Sequence, residues 1–441
     1  MIRFCSLVLV ACTLLTSCGD DEGFTSAPIP SGRLVYVNTI PDSPELVVVT
    51  NNLRTGNIGF GQATANTNVL PQIPLDYRIS YNNNTVDETY LEGAVTLDIG
   101  FSHTVLITGT FATPTVTEIV DPPFEYATGT TDTRIRVVNA TSSVASATVN
   151  ITNPNGNDQS IVATNGQPTA FTTTTAGEGV QIEVTDTSSG AVLWRSGEII
   201  LSAAGDRFFV LQDYFGPGTE SVRMVSFNDP SGTELFVNEQ LIAAVRFTNQ
   251  AADRGPLDFY VDDVLVATQG FNGVSDYVPA PTGSAVVRVT PAGDADTVLA
   301  EGERLFFSGT FHTIQVAANA DATGIATGFF AENVQPIATV ARLNFTKAAP
   351  SVGLVDLYFQ DQGEALVGLP DFVQVAELVT GSITVPPAVY DLYVTETGNQ
   401  TQLLGPIPLD LEASNTYTIQ ITDSEGGGTP LAIQLLDAFQ D

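Results

Sequence analysis

The chain has 441 residues, of which 43% are hydrophobic and 15% charged, and 15 Lys+Arg against 49 Asp+Glu leave a net charge of −34. That length exceeds one ordinary core, and the apolar share excludes a disordered polymer. With so few bases there is no stripe to neutralise phosphates, so no nucleic-acid partner is expected. An acidic surface of this kind is a solvated one that also suits a saline habitat or a divalent cation, and calcium stays open as a ligand.

Residues 1–18 read as a leader. Arg3 supplies a positive start, and Leu7 to Leu15 is an apolar stretch too short to span a bilayer. Leu15-Thr-Ser-Cys18 then resembles the bacterial lipobox, which implies that Cys18 is lipidated and becomes the new N-terminus. An ordinary secretory leader with a chance cysteine is the competing reading. Gly19 after the cysteine implies the outer membrane, and Asp20-Asp21-Glu22 is similar to export tags of some surface lipoproteins. The face of the membrane is left undecided between periplasm and exterior. Cys5, Cys12 and Cys18 are the only cysteines, so everything after the leader folds without a disulfide. Residues 19–31 form a flexible tether.

Four copies of one strand pattern follow, over 32–124, 132–229, 243–336 and 340–441. They open with Leu34-Val-Tyr-Val-Asn38, Ile135-Arg-Val-Val-Asn139, Val245-Arg-Phe-Thr-Asn249 and Arg342-Leu-Asn-Phe-Thr346. Asn38, Asn139 and Asn249 share one position, where an amide side chain can bond the turn that follows. Second strands come at Leu46 to Thr50, Ala147 to Thr152, Leu257 to Val261 and Val355 to Phe359. Middle hairpins turn through Asn82-Asn83-Asn84, Ser188-Ser189-Gly190, Pro291-Ala-Gly-Asp294 and Thr397-Gly398-Asn399. Closing strands begin at His103, Phe208, His312 and Tyr417, taken as one repeat position for a flat ring. Period-two alternation with turns every few residues, and no amphipathic helical period, predicts an all-β chain. The expected fold is four tandem Ig-like antiparallel β-sandwich domains after a lipoprotein signal peptide.

Asn38-Thr-Ile-Pro-Asp-Ser-Pro44, Ala348-Ala-Pro350, Asp258-Phe-Tyr-Val261 and Asp356-Leu-Tyr-Phe359 are similar to the signatures of a tandem bacterial family, the domain of unknown function 4397. The first unit has Val47 in place of the signature Asp, and the second has Thr148-Val-Asn-Ile151. The resemblance implies extracytoplasmic β-sandwiches of unassigned role and carries no catalytic residue across.

The chemistry-bearing residues are few. His103 and His312 fall in separate units and read as structural rings rather than a metal pair, and no nucleophile elbow or phosphate loop occurs. Asp262-Asp263 reads as a turn, while acid pairs such as Asp294 with Asp296 or Glu301 with Glu303 keep a glycosidase reading open. Asp121, Asn228, Asp229 and Asn333, near the unit junctions, are where calcium would sit. Trp194 either fills a core or, if exposed, stacks on a sugar. Three roles follow: a non-enzymatic lipid-anchored spacer, scaffold or adhesion protein, with units end to end over roughly 100 Å; a module binding cell-surface glycan or protein; and an acid-pair hydrolase.

Overall fold

The structure is a computed structural model and describes residues 31–70, 73–82, 87–218, 222–228, 232–236, 241–318 and 324–438. Cys18, the tether, Asn83-Asn84 and Asp229 lie outside the described residues. The described chain is all-β, with its strands in eight sheets.

The sheets form four pairs along the chain, each pair closing over its own apolar core. In every unit the opening strand lies parallel to the penultimate one. Gly32–Asn38 runs beside Ser102–Thr110, Asp132–Asn139 beside Asp206–Asp213, Ala243–Gln250 beside Phe311–Ala318, and Ala341–Ala348 beside Thr416–Thr422. The strand that follows each penultimate strand, such as Thr113–Asp121 or Ile325–Glu332, adds antiparallel to it. The facing sheet is built on Leu46–Thr50, Ser146–Thr152, Leu257–Val261 or Val355–Asp361, each held between two antiparallel neighbours. A parallel pair needs a long crossover, and the whole facing sheet supplies it.

This order corrects the Ig-like expectation. In an immunoglobulin sandwich the first strand lies in the same sheet as the second, whereas here they sit in opposite sheets. Alternation in sequence cannot reveal the difference, because it fixes which face a side chain takes and not which strand lies alongside.

Alternation does place the cores. Val180, Ile182 and Val184 point inward and are buried, while Gln181 is exposed between them. Trp194 is fully buried in that second core, which settles it as packing. Phe247 and Phe259 meet in the third core with ring centroids 4.9 Å apart. Asp262 and Asp263 both have positive φ, at 47° and 64°, and join Leu257–Val261 to Val264–Gln269 as a tight hairpin turn.

The closing-strand position needs one correction. His103, His312 and Tyr417 stand opposite Leu34, Val245 and Leu343, but in the second unit Arg207 stands opposite Ile135, and Phe208 is one step further on. A one-residue slip changes the face: Phe209 enters the core, and Phe208 faces outward.

The units are not simply strung end to end. The outer faces of the first two units share a buried apolar seam of Val37, Leu106, Ile119, Val138, Ala140, Val210 and Val225. The third and fourth units meet through amides and hydroxyls instead: Gln250 Nε2 donates to Gln420 Oε1 at 2.7 Å, and Thr346 Oγ1 to Gln315 Oε1 at 2.7 Å. Tyr214 of the second unit donates its hydroxyl to Gly309 O of the third at 2.6 Å. Between the third and fourth units, Ala338 N donates to Asp42 O of the first at 2.8 Å. The expected extended row is therefore replaced by units packed side by side.

Candidate functional site

The repeat positions singled out in the sequence are structural. Asn38, Asn139 and Asn249 each accept, through Oδ1, the backbone N–H two residues on, from Ile40, Thr141 and Ala251. Their Nδ2 groups donate to Ser43 Oγ, Val144 O and Gly255 O. The fourth unit has Lys347 in this place, since Asn249 stands opposite Val316 as Lys347 stands opposite Ile421. Lys347 is 2% exposed, and burial lowers its pKa against the raising pull of Glu377 and Asp423.

His103 Nδ1 lies 2.7 Å from Glu118 Oε1. His312 is fully buried, stacks on Phe329 at 4.9 Å, and accepts at Nε2 from Phe307 N. Burial lowers the pKa of His312, so its ring is neutral. The two histidines are far apart in the chain and each serves its own unit. Among the described residues no group of three or more His, Cys, Asp or Glu is gathered as metal ligands. Asp121 is committed to Arg136, and Asn333 accepts from Gln335 N.

The signature aspartates are turn clamps. Asp356 accepts from Gln374 N at 2.8 Å, Thr397 Oγ1 at 2.9 Å and Gly398 N at 3.0 Å. Asp258 likewise accepts from Gly293 N at 2.8 Å and from Thr268 Oγ1. Each carboxylate reaches across from the second strand to hold the turn of the middle hairpin. In the second unit Thr148 and Thr187 hydroxyls meet there at 2.9 Å, a weaker neutral version.

The one large concavity lies where the outer faces of the first two units diverge. Beyond the apolar seam they splay into a cleft of about 710 Å³. Alternation puts Arg33 and Val35 on one wall, with Ser102, Thr104 and Asp121, and Arg134, Arg136, Asp206 and Phe208 on the other. His103 belongs to the opposite, core-facing side of its strand, in step with Val105 and Ile107.

Arg134 and Arg136 are fixed by paired carboxylates and rings. Arg134 Nε donates to Asp206 Oδ1 at 2.8 Å, and Arg136 bonds Asp121 through both terminal nitrogens, at 2.8 and 2.7 Å. The second pair ties one unit to the next. Phe124, Arg134, Phe171 and Arg136 stack in alternation, each guanidinium carbon 3.6 to 4.3 Å from a ring centroid. Tyr126 donates to Asp206 at 2.5 Å, and its phenol is pushed up to about 12 by burial and by that carboxylate.

At the far side of the seam Arg223 lies over Phe60 at 4.0 Å, and burial holds its pKa down to about 10. Gly61 there has φ +75°, and a Cβ on it would come within 2.3 Å of the Arg223 guanidinium, so only glycine lets the two units approach. None of these cleft residues stood out in the sequence. The available signal was the unbroken apolar runs Val105-Leu-Ile107 and Phe208-Phe-Val-Leu211, which mark strands buried on both faces.

No protein of curated function matches the chain. Among solved structures, one described as the Bacillus anthracis TIE protein is 11% identical, with 88% of this chain and 67% of that chain covered. Its TM-score is 0.16, and it carries no argument here. Residues 243–358 match a family described as Domain of unknown function (DUF4397). That span runs from the opening strand of the third unit through the fourth unit's Asp356-Leu-Tyr358, so it contains both clamp aspartates. Residues 243–358 of this chain thus belong to the DUF4397 family.

Proposed function

We propose that this is a non-enzymatic, lipid-anchored cell-envelope protein that acts as a scaffold or adhesive element. Cys18 would carry the lipid, and the outer membrane is the expected location. The single observation that supports a scaffold over a spacer is the pairing of sheet faces. Outer faces that a beads-on-a-string spacer would leave wet are used up in contacts between units, which holds the exposed loops in fixed mutual positions. Loops on a stiff support are where binding residues are usefully presented. The signature aspartates, which a hydrolase would need in a cleft, are instead held by turn N–H groups.

Cell fractionation tests the anchor. Wild-type protein should sediment with membranes, whereas Cys18→Ala protein should be released to the soluble fraction or retained unprocessed. If Cys18→Ala distributes and matures as the wild type does, the lipid anchor is wrong. Protease added to intact cells then reads the side: loss of the protein supports an adhesive role, and full protection confines it to periplasmic scaffolding.

A further inference from the structure

We propose that the cleft between the first two units binds a carboxylate-bearing saccharide such as a short uronic-acid oligomer. Its volume of about 710 Å³ lies within the range of small-molecule sites, and it holds on the order of twenty waters that a ligand would release.

The lining selects the chemistry. Three guanidiniums, Arg33, Arg134 and Arg136, face two carboxylates, Asp121 and Asp206. This is an excess of positive charge in a chain with only 15 Lys+Arg and a net charge of −34. Arg136 is mostly buried, and its Nε has no hydrogen-bond partner although both terminal nitrogens are used. A buried guanidinium N–H left unpaired is costly, and a carboxylate or hydroxyl entering the cleft would satisfy it.

Bidentate Arg–Asp pairs set donors beside acceptors, the arrangement that neighbouring sugar hydroxyls match. At the rim Phe124 is 52% exposed, with Arg134 beneath its ring, and offers an apolar face to the C–H side of a pyranose. A polyphosphate chain would face the repulsion of the whole acidic surface for a single excess positive charge. A short uronic oligomer carries few charges and gains from hydroxyl and ring contacts as well. This site stands independently of the lipid anchor, because it depends only on the packing of two units.

Calorimetric titration of the detergent-solubilised full chain with di- and trigalacturonate, beside neutral galactobiose, tests it. We expect saturable binding of the acidic sugars, with the neutral disaccharide about ten-fold weaker. Phe124→Ala should weaken the acidic sugars about five-fold and Arg33→Ser about ten-fold. Both positions are exposed, so melting temperatures should stay unchanged. Absence of heat with any sugar at about 10 mM would overturn the proposal. Equal affinity for the neutral sugar would overturn the carboxylate assignment, and undiminished binding by both variants would overturn the location.

Discussion

The clamp at Asp356 shows how one side chain sets a hairpin. Burial alone would raise its pKa, but the N–H groups of Gln374 and Gly398 and the Thr397 hydroxyl together outweigh that and hold it below 3.8. A carboxyl depressed in the folded state stabilises the fold fully above its unfolded value, and that contribution is lost as pH falls through the folded one. The expected window is therefore below about pH 4. Asp356→Ala should cost about 1–3 kcal/mol in a denaturant melt at neutral pH, because two backbone N–H groups lose their acceptor. The difference from wild type should shrink as the pH is taken below that window; a gap that stays constant down to pH 2 would show that the carboxylate's charge is not what matters. The sequence made the residue visible as part of a signature but not its task, since the turns it grips lie 18 and 42 residues further on.

At the scale of strands, pairing is fixed by contacts that alternation does not encode. In the third unit Arg246 of the opening strand and Glu332 of the last form an ion pair 2.9 Å apart, with side chains 5% and 1% exposed. They are joined by the Thr313 hydroxyl and by Tyr277, whose ring lies 4.9 Å from the guanidinium. Burial pushes the Tyr277 phenol far above its ordinary value, so it stays protonated at all working pH. Such a pair adds little net stability against an apolar replacement, yet breaking it strands a buried charge. Glu332→Ala should destabilise the third unit by about 3–5 kcal/mol, and the double change Arg246→Met with Glu332→Leu should recover most of that loss. If the single and double variants melt alike, the pair is not the strand lock described here. Hairpins such as the Asp262-Asp263 turn were legible because their chemistry is local. The parallel neighbour of each opening strand was not, since 69 residues separate Leu34 from its partner His103.

For the molecule as a whole, duplication was readable and assembly was not, and the reason is physical. Each unit closes its own core by alternation, so four copies of one pattern announce four cores. The outer faces carry no period of their own; Val37, Leu106, Val138 and Val210 became a seam only because two such faces meet. Side-by-side packing predicts a radius of gyration of about 22 Å for the folded residues by the scaling of compact proteins. A row of four units roughly 100 Å long would give about 30 Å. Small-angle scattering separates the two. Leu106→Asp then probes the cause: it sets a carboxylate on the fully buried outer face of the first unit, where desolvation leaves it no favourable partner. The first two units should part, raising the radius of gyration and exposing 122–131 to protease, while both inner cores stay folded because Leu106 is in neither. The cleft exists only where those two faces meet, so the same substitution should also abolish any saccharide binding, and binding that survived the parting of the units would show that the seam does not build the site.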